Sequence, residues 1–409
     1  MKIINKNYQK LLFATVITRF GDAIDTIAFS WLVYVMTGSR ALMGTIFAVS
    51  IIPNLIILPF SGVIADILDK KIITVLGDIA RAMSVALLAI LYFYDALAVW
   101  HIFMFVIVNS IFESFSDPSR GSMLQSLIEP DDFVKGSSYL QTGSTLGSLV
   151  GLSMSGFLIA SIGISGTIMV DAVTFLLSGI VILSIKFVDK KEKVETEESS
   201  KIQFFTLVKE GVMYLKDKKF LVSVLVLSAF INFSFVPYNV LRPVFVVEVL
   251  KLGVEGLSYI SVAMLLGILS GSLIMGKFGE KVNPITALGF GFAMLAICYT
   301  TLGIAKYTGL EGFILLVFVL AANFFFGFFI PVITAPLRAI TMRETKPEMI
   351  GRLSSIMSII SLCAIPLGGV FVSLVGDSIS VSILFVLMGV FALTISSRFW
   401  FKHRKVVLT

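Results

Sequence analysis

Hydrophobic residues along this chain come in long unbroken runs, not at every second position and not as a narrow helical stripe. The runs lie near 11–37, 42–65, 72–93, 98–118, 137–160, 165–186, 219–247, 255–276, 284–305, 311–337, 353–375 and 379–399. About 20 mainly apolar residues suffice for a helix to cross a bilayer. Barrel strands would alternate apolar and polar residues, which these runs do not. The pattern predicts an all-α polytopic membrane protein with twelve transmembrane helices. The polar residues between the runs are few, so most connections are expected to be short.

One polar stretch is long. Asp189-Lys-Lys-Glu-Lys-Val-Glu-Thr-Glu-Glu-Ser-Ser-Lys201 is charged and poor in apolar residues, and it reads as a flexible linker. From Ile202 to Lys219 the pattern turns amphipathic, with Phe205, Val208, Val212 and Leu215 on one face, as in a helix lying on a membrane surface. The expected organisation is therefore an N-terminal six-helix bundle (1–188), a linker with an amphipathic helix (189–218) and a C-terminal six-helix bundle (219–409).

Composition excludes a soluble alternative. The chain is 57% hydrophobic and 14% charged over 409 residues, with a mean hydropathy of +0.98. A soluble fold of this length cannot bury that much apolar surface. The formal charge of +6 is explained by topology. With both termini cytoplasmic, most lysines and arginines, including Lys2, Lys6, Lys10, Lys70, Lys71 and the Lys402–Lys405 tail, fall on the cytoplasmic side. No basic soluble domain exists to suggest a nucleic-acid partner. Met1–Lys10 is short and polar and no small-residue cleavage site follows the first run, so that run is expected to be a retained helix. Cys298 and Cys363 both fall within predicted spans, which implies no disulfide framework.

Two short links stand out. Gly62-Val-Ile-Ala-Asp66-Ile-Leu-Asp69-Lys70-Lys71 joins the second and third spans, and Gly276-Lys-Phe-Gly-Glu280-Lys281 repeats its outline after the eighth. A glycine with an acid four residues on, followed by basic residues, thus recurs at matching places in the two halves. Gly271-x4-Gly276-Lys277 resembles the start of a phosphate-binding loop, but Phe278 replaces the required Ser or Thr and no strand precedes it. No ATP site, cofactor, metal site or enzymatic constellation is expected.

Ionisable side chains inside spans are costly, by about 2.5–3.5 kcal/mol or more at the bilayer centre, and so point to cavities or partners. The first span holds Arg19, Asp22 and Asp25, spaced by three and hence on one face. The fourth holds Asn109, Glu113 and Asp117, and the sixth Asp171. At about 1.5 Å of rise per residue, Arg19 and Glu113 come to similar depths, which allows Arg19–Glu113 or Arg19–Asp22 pairs. Asp25 and Asp171 also match in height. Two readings follow for these acids: Asp22, Glu113, Asp25 or Asp171 takes up and releases a proton, or each is permanently paired. Asp78 and Arg81, one turn apart, are expected to pair locally. In the second half Asn232, Asn239, Arg242, Asn323 and the run Phe324–Phe329 dominate, and acids are nearly absent. Aromatic walls carrying a few amides suit a bulky, mostly apolar guest. Gly143, Gly147 and Gly151, and likewise Gly267 and Gly271, form small-residue stripes that allow close helix packing, either ordinary or at a sliding interface.

The link at 62–71 resembles the signature loop of the major facilitator superfamily, G-x-x-x-D-x-x-G-[RK]-[RK], with Asp69 where the second glycine is usual. Arg19-x-Gly-Asp22, Trp31-Leu-Val-Tyr34, Asp117-Pro-Ser-Arg120, Asp171-Ala-Val-Thr-Phe175 and Pro366-Leu-Gly-Gly369 resemble its branch of macrolide-type drug efflux proteins and siderophore exporters. Gly147-Ser-Leu-Val-Gly151 keeps the glycines of an element many superfamily antiporters carry, with Leu152 and Ser155-Gly156 in place of its proline and glycine pair. The resemblance implies the major facilitator fold: two six-helix bundles that alternate access to a cavity lined by spans 1, 4, 7 and 10, with Arg19, Asn109, Asn232, Asn239, Asn323 and Phe326 facing the substrate. It implies that spans 2, 5, 8 and 11 meet across the halves. It also implies a gate made by Gly62, Asp66, Lys70 and Lys71 against Arg352. The expected activity is export of an amphipathic compound in exchange for protons, with a siderophore or metabolite exporter as the alternative and a non-transporting sensor behind it. The expected location is a bacterial inner or sole membrane, the expected state a monomer, and the expected partners are a small-molecule substrate, protons and lipid.

Overall fold

A computed structural model describes residues 5–67, 69–129, 132–186, 213–216, 218–345 and 349–407; within 58–67, 350–352 and 403–407, among other positions, only the backbone is described. The described residues form helices and short connections, with no strand among them. Twelve long helices follow the hydrophobic runs: α1 (Lys6–Thr37), α2 (Arg40–Ile67), α3 (Lys70–Phe93), α4 (Val99–Leu127), α5 and α6 within Phe133–Leu183, α7 (Lys219–Glu248), α8 (Glu255–Phe278), α9 (Pro284–Ile304), α10 (Gly312–Glu344), α11 (Ile350–Val375) and α12 (Val381–Val407). A single residue, Gly163 at φ 75°, ψ 175°, separates α5 (133–162) from α6 (164–183). That backbone conformation is open to glycine without strain. The protein is an all-α polytopic membrane protein with two six-helix bundles.

Local chemistry sets the helix ends. Asn5 and Asn283 cap α1 and α9 through side-chain oxygens that accept backbone N–H groups. Asp69, the departure from the signature loop, does the same for α3, accepting from Lys71 N at 2.8 Å and Ile72 N at 3.1 Å. Gly38 ends α1 in the left-handed region (φ 63°), its N–H returning to Tyr34 O. Lys71 Nζ donates to Ile185 O at 3.0 Å beyond the end of α6. Gly62, Asp66 and Arg352 lie on helical backbone, and their side chains fall outside the described residues. Of the expected amphipathic helix only 213–216 is described; it is helical, and Leu215 is buried against Leu221, Leu225, Leu353 and Ile356.

The chain divides into two compact units, one built from described residues of 1–38 and 49–204, the other from those of 39–48 and 205–409. In the first, α1 lies along α5 and α6, and α3 packs on α4 and on the same pair. The glycine stripe of α5 has a specific role here. A Cβ at Gly147 would sit 2.6 Å from Val16 O, and one at Gly151 2.4 Å from Phe20 O, so α1 and α5 touch backbone to backbone. In the second unit Gly267 and Gly271 play the same part for α8 against α10, facing Phe324 O and Phe328 O at 1.9 and 2.2 Å from an added Cβ. Both stripes are thus consumed by packing within a unit. That is the ordinary-packing reading of the two that the stripes allowed.

The start of α2 groups with the second unit. Gly44 packs on Gly369 O and Ser373 N of α11, and Arg40 Nη2 bonds Glu248 Oε1 at 2.5 Å. Asp377 caps α2 from a distance in sequence: Oδ1 accepts Arg40 N at 2.8 Å and Ala41 N at 3.2 Å, and Oδ2 accepts Ser39 Oγ at 2.9 Å. Partial burial alone would raise this carboxyl, but the Ser39, Ala41 and Arg40 hydrogen bonds and the Arg40 charge hold it below the usual carboxylate range. A depressed pKa contributes stability that is present at neutral pH and lost as pH falls through the folded-state value. Asp377→Ala is expected to cost about 1 kcal/mol, the usual worth of a helix cap, read as a lower melting midpoint in detergent at pH 7. The gap to the parent protein should close only below the usual carboxylate range.

Candidate functional site

The charged residues of the first unit come together along one polar seam between α1, α3, α4 and α6. On α1 the three-residue spacing puts Arg19, Asp22 and Asp25 on one face; on α4 Asn109, Glu113 and Asp117 recur every four residues and face it from the opposite direction. Arg19 is the hub at one level. Its Nη1 donates to Asp22 Oδ2 at 3.3 Å and to Glu113 Oε1 at 3.2 Å, and its Nη2 bonds Asp117 Oδ2. Both pairings expected of Arg19 are therefore made, and Asp117 joins as a third partner.

Arg81 is the residue that sequence reasoning misplaced. It does not pair with Asp78 one turn away; its Nη2 bonds Asp22 Oδ1, and its guanidinium lies 4.0 Å from the centre of the Phe175 ring. Asp78 instead pairs with Arg120 of α4, whose Nη2 reaches both carboxylate oxygens, Oδ2 at 2.6 Å, while Ser178 Oγ donates to Oδ2 at 2.7 Å. The physical reason is reach. Asp78 and Arg81 share a helix face, but a buried ion pair gains most from several aligned hydrogen bonds, and those come from α1, α4 and α6. Asp78 is fully buried and Arg120 is 5% exposed.

Asp25 and Asp171 stand apart. Neither makes an ion pair among the described residues, and Asp25 Oδ1 and Asp171 Oδ2 are buried without a hydrogen-bond partner. Asp171 is fully buried; its Oδ1 accepts Thr174 Oγ1 at 3.2 Å. A Cβ at Gly21 would come within 2.2 Å of that same Oδ1, so the missing side chain at 21 lets the acid press against α1, one turn before Asp25. Asn109 is buried too, with neither amide atom bonded. Counting the seam without the balanced Asp78–Arg120 pair, Asp22, Asp25, Glu113, Asp117 and Asp171 face only Arg19 and Arg81. Asp117 and Glu113 are partly exposed, but a buried carboxylate oxygen without a partner, as in Asp25 and Asp171, is costly to keep charged. The arrangement can hold protons.

The second unit carries a different site. Tyr238 of α7 donates its hydroxyl to Asn323 Oδ1 of α10, and Asn323 Nδ2 donates to Val319 O at 2.8 Å. Phe326 stacks on Tyr238 at 4.8 Å between ring centres and on Tyr299 at 5.8 Å. Asn323 and Phe326, expected on an open wall, are 1% and 0% exposed and lie inside this aromatic core. Asn232 and Asn239 are half-buried; Asn232 Nδ2 donates to Ser228 O at 2.9 Å and to Ser361 Oγ of α11 at 3.4 Å. Arg242 is 3% exposed, donates to Ser261 Oγ at 3.3 Å and sits 5.5 Å from the Tyr238 ring centre.

Known proteins match across nearly the whole chain. A family model described as Major Facilitator Superfamily matches residues 11–356. Macrolide efflux protein A of Streptococcus pyogenes is 23% identical over 395 residues, covering 95% of each chain. The multidrug efflux pump Tap of Mycolicibacterium fortuitum is 24% identical over 402 residues, 93% of this chain and 94% of that one. Among solved structures, a mutant of the nucleoside transporter NupG superposes with a TM-score of 0.80 at 10% identity, covering 96% of this chain and 99% of the other. That likeness shows the twelve-helix fold.

Proposed function

The chain belongs to the Major Facilitator Superfamily and is a multi-pass transporter of the bacterial membrane; from that premise we propose that it exports amphipathic or lipophilic compounds in exchange for protons, by alternating access. The observation that supports the proton half is the seam of the first unit, where two of five carboxyl groups each have a buried oxygen without a hydrogen-bond partner and make no ion pair among the described residues. Asp25 and Asp171 hold the exchangeable protons on this reading. Asp22 and Glu113, bonded to Arg81 and Arg19, sense their loss and gain through the shared arginines, since each proton leaving Asp25 or Asp171 adds a negative charge beside them.

The cargo half draws support from the efflux proteins that resemble the chain. Asn232 and Asn239 are the substrate-facing amides. Asn323 and Phe326 act from behind, fixing α7 through Tyr238 so that the two amides keep their place. A bulky apolar guest needs few directional contacts and gains most of its binding from burial.

Purified protein reconstituted into proteoliposomes with an internal pH-sensitive dye tests the reading. A panel of lipophilic compounds that includes a macrolide is expected to give substrate-dependent proton movement, with cargo accumulating against its gradient when a pH gradient is imposed. If no compound moves protons and none is itself moved, exchange of lipophilic cargo for protons is wrong.

A further inference from the structure

The first unit also carries a groove on its outer face, far along α1 from the acidic seam. It is a shallow, open site of about 430 Å³, lined by Lys6, Gln9, Lys10 and Phe13 of α1 with Val181 and Ser184 at the end of α6. Lys6, Lys10 and Phe13 follow one another on a single helical face. The two lysines sit at the helix start, and Phe13, 54% exposed, points away from the protein about 10 Å further along the axis. One end of the groove is thus cationic and the other apolar. Among the described residues, no acidic side chain lines it.

The carbonyl end of α6 would ordinarily repel an anion here, because the helix dipole leaves partial negative charge at that terminus. Two lysines remove that obstacle. Lys10 Nζ donates to Ser184 O at 2.8 Å and Lys71 Nζ to Ile185 O at 3.0 Å. Lys10 spends one of its three N–H groups on this bond and Lys6 makes no contact that the fold needs, so both ammonium groups can face a ligand. Exposed Phe13 on a spanning helix meets lipid tails at the depth where a headgroup gives way to acyl chain.

We propose that this groove seats one anionic glycerophospholipid, its phosphate at Lys6 and Lys10 and an acyl chain along Phe13 and Val181. The charge complementarity selects an anionic headgroup over a zwitterionic one. The apolar half selects a lipid over a soluble phosphate or an acidic peptide. On the expected orientation this is a lipid of the cytoplasmic leaflet.

Native mass spectrometry of the delipidated protein, titrated with phosphatidylglycerol or phosphatidylcholine, decides the matter. The parent protein is expected to bind one phosphatidylglycerol in preference to phosphatidylcholine. Basic residues at a membrane surface gain about five-fold in anionic-lipid affinity each, so Lys6→Gln should weaken this binding about five-fold and Lys6→Gln with Lys10→Gln about 25-fold. The Lys6 variant should melt like the parent, and Phe13→Ala should weaken phosphatidylglycerol binding with the headgroup preference kept. Equal binding of the two lipids, or an unchanged affinity in Lys6→Gln, overturns the proposal. So does displacement by inorganic phosphate, which would make the site a plain anion site. A gain in lipid affinity when Glu195, Glu197 and Glu198 are changed to Gln would place the acidic linker in the groove and overturn it as well.

Discussion

Asp171→Asn is expected to lower transport driven by a pH gradient by at least about tenfold and to flatten its pH dependence, while exchange of labelled for unlabelled cargo continues. The asparagine keeps the shape of the acid and its Oδ1 still accepts from Thr174, so folding should be preserved and only the proton lost. An uncharged amide cannot alternate between charged and neutral forms, and that alternation is what couples the pH gradient to movement. Asp25→Asn should behave alike, because its buried Oδ1 is likewise without a partner. Asp22→Asn should differ in kind. It strips Arg81, whose side chain is 7% exposed, of its carboxylate partner, and an uncompensated buried charge weakens the fold. Uptake into proteoliposomes at several pH values, with exchange measured in parallel, separates the cases. Parent-like pH profiles in both the Asp25 and Asp171 variants would move the proton site to Asp22 or Glu113.

The second large effect is structural. Arg120→Met leaves Asp78, fully buried, without its cation, at an expected cost of about 3–5 kcal/mol. Replacing both partners, Asp78→Leu with Arg120→Met, removes both desolvation penalties and should recover most of that loss. Melting midpoints of the four proteins in one detergent form a double-mutant cycle that measures the coupling. A double variant no more stable than Arg120→Met would mean that Ser178, and not Arg120, compensates Asp78. If the pair only holds the bundle together, the recovered double variant also transports with the parent's pH profile. The contrast with Asp171 then divides the charges of the seam into those that move protons and those that hold helices.

Much of the fold was legible because hydrophobic runs of this length have one physical solution in a bilayer. Helix ends were less so. The fourth run ends near residue 118, yet α4 continues to Leu127 through Pro118. Hydropathy marks where a helix leaves the apolar layer, and Ser119–Leu127 stay helical because Arg120, Met123 and Leu124 are buried by neighbouring helices. In the charged seam, the in-span charges were visible in the sequence and several of their partnerships were not. Spacing within α1 brought Arg19 and Asp22 together correctly, since neighbours on one helix are fixed by its geometry. Spacing within α3 suggested Asp78–Arg81 and failed, since an arginine long enough to reach the next turn also reaches the next helix. The glycine stripes were found as stripes, but which neighbour each one faces is a fact of packing that no single run contains. Asp69 read as a departure from a family pattern, and its capping of α3 gives that departure a physical use.

Gly163 has a consequence for how the protein is made. With one residue between α5 and α6, no hydrophilic loop stands between them to be carried across the membrane. The chain holds no lysine or arginine from Gly136 to Ile185, so the retained positive charges, Lys135 and Lys186, lie only at the two open ends. Orientation signals of basic residues therefore act on both ends from the same side and on the tip from neither. Neither helix has an independent topogenic signal at the turn. Such a pair is built to enter the bilayer as one hairpin, and α1, which lies along both its arms, precedes it in the chain.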